Sequence, residues 1–207
     1  MVQSLNKLMK TVYLSLLVLL TLFYSVSAQN NTKISLGINV MLGARYDDTR
    51  MCVASPAGVK GGPIADVMFN TRLHFNDTWS VGFKLPIMRP ILFATAFDML
   101  QFEPEFIVEY THQISDDIGL VVGPGLGISF HYGPDYKTEQ DDSDPHKFAA
   151  AGPFISALIG MKFQSSAGSS RIIGLRPFYA PLFSDDYRSG TVLGAALEGH
   201  FDFFKQP

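Results

Sequence analysis

Residues 100–112 read LQFEPEFIVEYTH. Taken at every second position, they separate into Leu100, Phe102, Phe106, Val108 and Tyr110 on one side and Gln101, Glu103, Glu105, Glu109 and Thr111 on the other. A period of two belongs to a β-strand, whose successive side chains point to opposite faces. Three glutamates on one strand face, backed by aromatic and aliphatic residues on the other, set the question for the rest of the chain: which face is inside?

Working outward, the same alternation recurs. In residues 33–46, Ile34, Leu36, Ile38, Val40, Leu42, Ala44 and Tyr46 oppose Lys33, Ser35, Gly37, Asn39 and Arg45. Residues 63–75 set Ala65, Val67, Phe69, Leu73 and Phe75 against Asp66, Asn70, Arg72 and His74, and residues 79–89 repeat the pattern. In residues 118–132, Leu120, Val122, Leu126, Ile128, Phe130 and Tyr132 face away from Gly119, Gly123, Gly125, Gly127, Ser129 and His131. Residues 153–164, 171–181 and 191–204 complete a set of eight segments. They occupy more than half of the chain beyond residue 28, a share far above that of an ordinary globular domain. The connections run about 16, 3, 10, 5, 20, 6 and 9 residues, long and short in strict alternation, as in an up-and-down barrel with short turns at one end and long loops at the other. The expected fold is all-β: an eight-stranded antiparallel up-and-down transmembrane β-barrel.

The first 28 residues read as an export signal. Lys7 and Lys10 precede an apolar run without charge, and Val26-Ser27-Ala28 supplies small residues at the cleavage position. Residues 29–207 then form the barrel domain. The composition, 47% hydrophobic and 17% charged with 18 glycines, excludes disorder and fibrous repeats. Without Lys7 and Lys10 the chain keeps 14 basic against 19 acidic residues, a net charge of −5 that disfavours nucleic acid as a partner. Cys52 is the single cysteine, so a disulfide framework and multi-cysteine metal sites are excluded, and no cofactor is implied.

A soluble eight-stranded carrier with an apolar interior shares this strand pattern. Against it, the polar faces hold as many glycines and small residues as charges, which suits a narrow lumen. Outward aromatics also gather at strand ends: Phe75, Trp79, Tyr110, Phe163 and Phe203 near one rim, Tyr46, Tyr132 and Tyr179 near the other. Two aromatic girdles are what a bilayer requires. With its export signal, eight alternating strands and a last strand carrying Leu197, Gly199, Phe201 and Phe203, the chain resembles the small outer-membrane β-barrel family of the OmpX and OmpA transmembrane-domain kind. The resemblance implies a monomer in the outer membrane of a Gram-negative bacterium, in contact with outer-membrane lipid. It also implies delivery by the barrel-insertion machinery, which reads the closing aromatic strand. Lys205-Gln206-Pro207 follow that strand where many members stop at the aromatic. A wall-anchoring role is not implied.

Candidate chemistry is sparse. Ser129 and His131 share a strand face, with Asp135 beyond them, so the elements of a nucleophile relay are near one another. Enzymes of this architecture that act on the acyl chains of lipid A use such a rim pair, but the surrounding residues do not match their fuller signatures. The expected protein is therefore non-enzymatic, with a lipid A-modifying enzyme and a narrow passive pore as alternatives. Asp135, Glu139, Asp141, Asp142, Asp144 and His146 make an acidic loop whose spacing is not that of a calcium loop, so no metal site is expected. His74 and His200 fall near the inner end of the polar face as hydrogen-bonded lumen residues. Gly123, Gly125 and Gly127 lie within a strand, without a helix N-terminus to cradle a phosphate. Residues 91–97 are apolar, and are read either as strands continuing past the bilayer edge or as a contact surface for lipid or protein.

The lumen charges give the sharpest expectation. Facing residues of an antiparallel hairpin have a constant index sum fixed by the centre of the loop. By this rule Lys84 lies opposite Glu105, while Arg176 with Glu198 and Arg45 with Asp66 are diagonal neighbours that long side chains can bridge. Three such pairs, inside a bore just wide enough for side chains, predict a plugged polar lumen. Function is then left to the surface loops, as envelope or cell-surface contacts.

Overall fold

The structure, a computed structural model, describes residues 33–50, 58–95, 98–135, 146–164, 170–184 and 189–205. The leader, Cys52, Ala96, Phe97 and the acidic loop residues Glu139, Asp141, Asp142 and Asp144 lie outside them. In chain order the elements are β1 (Lys33–Asp47), β2 (Gly61–His74), β3 (Trp79–Pro86), α1 (Met88–Thr95), β4 (Leu100–Phe102), β5 (Glu105–Gln113), β6 (Ile118–Pro134), β7 (Lys147–Gln164), β8 (Ser170–Leu182) and β9 (Gly190–Lys205).

Every pairing is antiparallel, and β9 returns to pair with β1. β4 and β5 both pair with β6 in a single unbroken register, Leu100 with Tyr132 and Glu105 with Gly127, so they form one stave interrupted at Glu103 and Pro104. The result is an all-β ring of eight staves. Closure removes the free edges that an open sheet would expose, and in a bilayer the only spanning sheet is a closed one. Among the described residues no helix is long and apolar enough to cross a membrane. The short turns sit at one end: Asn76 Oδ1 accepts from the backbone N–H groups of Thr78 (2.9 Å) and Trp79 (2.7 Å), locking the β2–β3 reversal.

The question of inside and outside has a clear answer. Along β1, Ser35, Asn39, Arg45 and Asp47 are buried, whereas Leu42 is 59% exposed; in β9, Glu198 and His200 are buried while Leu197 and Phe203 are exposed. The apolar face is the exterior and the charged face the interior, the reverse of a soluble carrier. Only a bilayer makes such an exterior favourable. Phe75, Trp79, Phe163, Tyr46 and Tyr179 point outward, and Trp79 meets Tyr110 edge-on at 5.0 Å.

Three expectations need correction. The third segment ends as a strand at Pro86, not at residue 89, and the apolar stretch beyond it begins as a helix rather than as a continuation of the strands. Pro90 lies in the first helical turn, where its missing N–H costs little, and Thr95 Oγ1 donates to the Ile91 carbonyl (2.9 Å) at the far end. The β6–β7 hairpin extends past residue 153, with Pro134 opposite Lys147 and the Asp135 N–H donating to the His146 carbonyl at 2.9 Å. Finally, the lumen is not polar throughout. Met41, Ile64, Met68, Phe148, Phe154, Phe178, Leu182 and Val192 form a buried apolar cluster on the inner wall, and Ile107, Val121, Leu158 and Ile172 form a second. These apolar residues stand at inward positions, so period two assigns their side without revealing their packing.

Candidate functional site: the charged lumen

The inward faces of β1, β2, β3, β5, β6, β8 and β9, together with α1, bring charges to the bore at three heights. At mid-height, Lys84 from β3 and Arg176 from β8 each contact both Glu105 of β5 and Glu198 of β9. The four distances are Lys84–Glu105 3.3 Å, Lys84–Glu198 2.8 Å, Arg176–Glu105 2.6 Å and Arg176–Glu198 3.5 Å. All four side chains are essentially inaccessible. Ser156 donates to Glu105 (2.7 Å), Asn39 donates to Glu198 (2.8 Å), and the Arg176 guanidinium lies 5.2 Å from the centre of the Phe154 ring. Glycine makes the room. A Cβ on Gly125 would stand 2.9 Å from Glu105 Oε2 and closer still to Ser156 Oγ.

Nearer the short turns, Arg72 of β2 binds Glu109 of β5 (3.0 Å) and Asp202 of β9 (2.8 Å). Ser80 supports Glu109 (3.2 Å) and Ser170 supports Asp202 (2.6 Å). His200 is fully buried against the Arg72 guanidinium, with Nε2 2.9 Å from Glu198, which links this layer to the middle ring. His74 meets Ser35 Oγ at 2.9 Å.

At the long-loop end, Arg45 binds Asp47 (2.5 Å) and Glu103 (3.5 Å), while Arg89 of α1 reaches inward to Asp66 (3.1 Å) and Glu103 (2.9 Å). Ser129 donates to Glu103 at 3.3 Å, and His131 lies 3.5 Å from Glu103 and 3.9 Å from Asp47. Ser129 and His131 thus share a carboxylate and are both fully buried. Asp135 stands apart from them with His146, 3.6 Å away.

Of the residues expected to pair, Lys84 and Glu105 are opposite neighbours in the β3–β5 register. Arg176 and Glu198 are diagonal, because Gly174 faces Glu198 and Arg176 faces Ala196. The structure merges these two pairs into one ring. Arg45 and Asp66 do not form the expected bridge: Arg45 faces Gly62 and Asp66 faces Met41, and the ion pairs go to Asp47, Glu103 and Arg89 instead. The β1–β2 register is displaced by two residues from the loop-centre estimate. A shift of two keeps every side chain on its face, whereas a shift of one would turn them all over. The hairpin rule also missed Arg72–Asp202, Lys84–Glu198 and Arg176–Glu105, since these contacts cross the bore between staves that are not neighbours. Their signal was only that all six residues occupy inward positions.

No family model and no curated protein matches the chain by sequence. Solved structures do resemble it in shape. The Neisserial surface protein A superposes with a TM-score of 0.51 at 9% identity, over 82% of this chain and 99% of that one. The attachment invasion locus protein Ail of Yersinia pestis gives 0.43 at 15% identity, over 83% and 98% of the two chains. The N-terminal β-barrel domain of Pseudomonas aeruginosa OprF gives 0.39 at 8%, over 81% and 97%. Strand count, closure, an apolar exterior, a charged bore and the shape shared with the Neisserial protein converge on one description: the chain has the fold of the small eight-stranded outer-membrane β-barrels.

Proposed function

We propose that this is a non-enzymatic, monomeric barrel of a Gram-negative outer membrane, exported with loss of residues 1–28, whose lumen is closed by ion pairs and whose long loops make envelope or cell-surface contacts. The observation that carries the reading is the four-membered ring of Lys84, Glu105, Arg176 and Glu198. Two bases and two acids from four separate staves meet at mid-height with almost no solvent exposure. An eight-stranded bore has room for side chains and little else, so a cross-lumen ring leaves no continuous water path. The same burial supports a non-catalytic role for Ser129 and His131, which a substrate could not approach without dismantling the outer charge layer. Lipid contacts the exterior, and the last strand serves the insertion machinery.

Topology provides the test of the loop assignment. A protease site inserted between Asp141 and Asp144 is expected to be cut on intact cells, and one inserted at Asn76 and Asp77 to be protected. The reverse pattern would mean that the long loops face the periplasm.

A further inference from the structure

Arginine occupies both faces of this barrel, in opposite surroundings. Inside, Arg45, Arg72, Arg89 and Arg176 each hold a carboxylate. Arg171, the second residue of β8, alternates to the outside and is exposed. Among the described residues no side chain or carbonyl pairs with its guanidinium. The turn before it, residues 165–170, reads SSAGSS and supplies no acid. The neighbouring staves supply none on that face either: outward positions are uncharged from Ile155 to Phe163 in β7 and from Leu193 to Phe203 in β9.

Its place on the wall identifies the counter-ion. In the β7–β8 and β8–β9 registers Arg171 faces Phe163 on one side and Phe201 on the other. Facing residues of an antiparallel pair stand about 5 Å apart, so the cation rises between two rings of the girdle at the short-turn end. It lies eight residues along β8 from Tyr179 of the opposite girdle, roughly 20 Å of height at ~3.3 Å per residue and a tilt of about 40°. The apolar band of such a barrel is about 25 Å tall. The Arg171 backbone therefore sits at the edge of the hydrocarbon, and its long side chain carries the charge out to headgroup level. On the hydrocarbon side the wall is apolar: Ile173, Leu175 and Leu197 are exposed, and the Phe201 ring lies back over Gly199, where a Cβ would stand 3.1 Å from it. A cation beside hydrocarbon is costly unless an anion meets it, and at this height the anion within reach is lipid phosphate. A guanidinium matches phosphate as a two-pronged donor.

We propose that Arg171 is a lipid-binding residue, whose guanidinium holds the phosphodiester of a glycerophospholipid on the short-turn side of the membrane while the acyl chains of that lipid lie along Ile173, Leu175 and Leu197. A phosphatidylglycerol-type headgroup fits best, because it brings no second cation beside the guanidinium. The inference rests on the membrane seating proposed above and adds a lipid class and a residue to it; it holds whether or not the bore conducts ions.

The test titrates the delipidated protein in neutral detergent with dioleoylphosphatidylglycerol and counts bound lipids by native mass spectrometry, after the gel mobility of each unboiled variant has shown that the barrel is folded. The wild-type protein should bind one lipid well ahead of the rest. Arg171→Gln should weaken that first binding about tenfold, and Arg171→Lys, which keeps the charge without the fork, by a smaller factor. Dioleoylglycerol, with the same chains and no phosphate, should bind the wild-type protein no better than the Arg171→Gln variant, and millimolar inorganic phosphate should not displace the bound phospholipid. Equal affinity of the wild-type protein and Arg171→Gln for the phospholipid would overturn the proposal. So would displacement by inorganic phosphate, which would mean a plain anion site, or dioleoylglycerol binding as tight as that of the phospholipid, which would mean recognition of the chains alone. Failure of the membrane seating would show separately, as absence of the protein from the detergent-extracted outer-membrane fraction.

Discussion

Glu105→Gln is expected to destabilise the folded barrel by about 3–5 kcal/mol, the usual consequence of removing one partner from a buried charge cluster. Glu105 is the acid shared by Lys84 and Arg176, and it also accepts from Ser156. The amide keeps the shape and loses the charge, so two buried bases are left to share Glu198. The loss is measurable as a lower urea midpoint in detergent, read from the difference in gel mobility between folded and boiled protein. The double variant Lys84→Met with Glu105→Leu should be milder than the single one, because it removes one charge of each sign and leaves Arg176 with Glu198. A single variant as mild as the double would mean that the ring is hydrated and its charges are screened.

Arg72→Met is expected to have an effect of similar size, again about 3–5 kcal/mol. Arg72 is the common partner of Glu109 and Asp202. Its removal leaves two buried carboxylates to repel each other, with Ser80 still donating to Glu109 and Ser170 to Asp202. Adding Glu109→Gln and Asp202→Asn to Arg72→Met should recover a substantial part of the lost stability in the same urea assay. If the triple variant is no better than Arg72→Met alone, the loss comes from packing of the arginine stem rather than from stranded charge.

Much of this architecture is legible at the level of alternation. Residues 33–46 and 118–132 show period two with such clarity that strand identity, face and number follow, since both chain geometry and the bilayer act on every second residue. Lys84–Glu105 and Arg176–Glu198 follow as well, because a hairpin fixes its own register. Arg45–Asp66 fails on the same rule: a long connection does not centre itself on its two strands. Arg89 is invisible for another reason. Reading residues 79–89 as one strand makes it a rim residue, and only the turn into α1 at Pro86 sends its side chain back into the lumen. The contacts across the bore depend on the order and stagger of eight staves at once, which no local pattern contains.

Closure of the lumen is measured directly as current through a planar bilayer. The wild-type protein should show no steady conductance, while Glu105→Gln, with the mid-height ring broken, should leak in discrete steps. Steady conductance of the wild-type protein, unchanged by Glu105→Gln, would contradict the ion-pair plug.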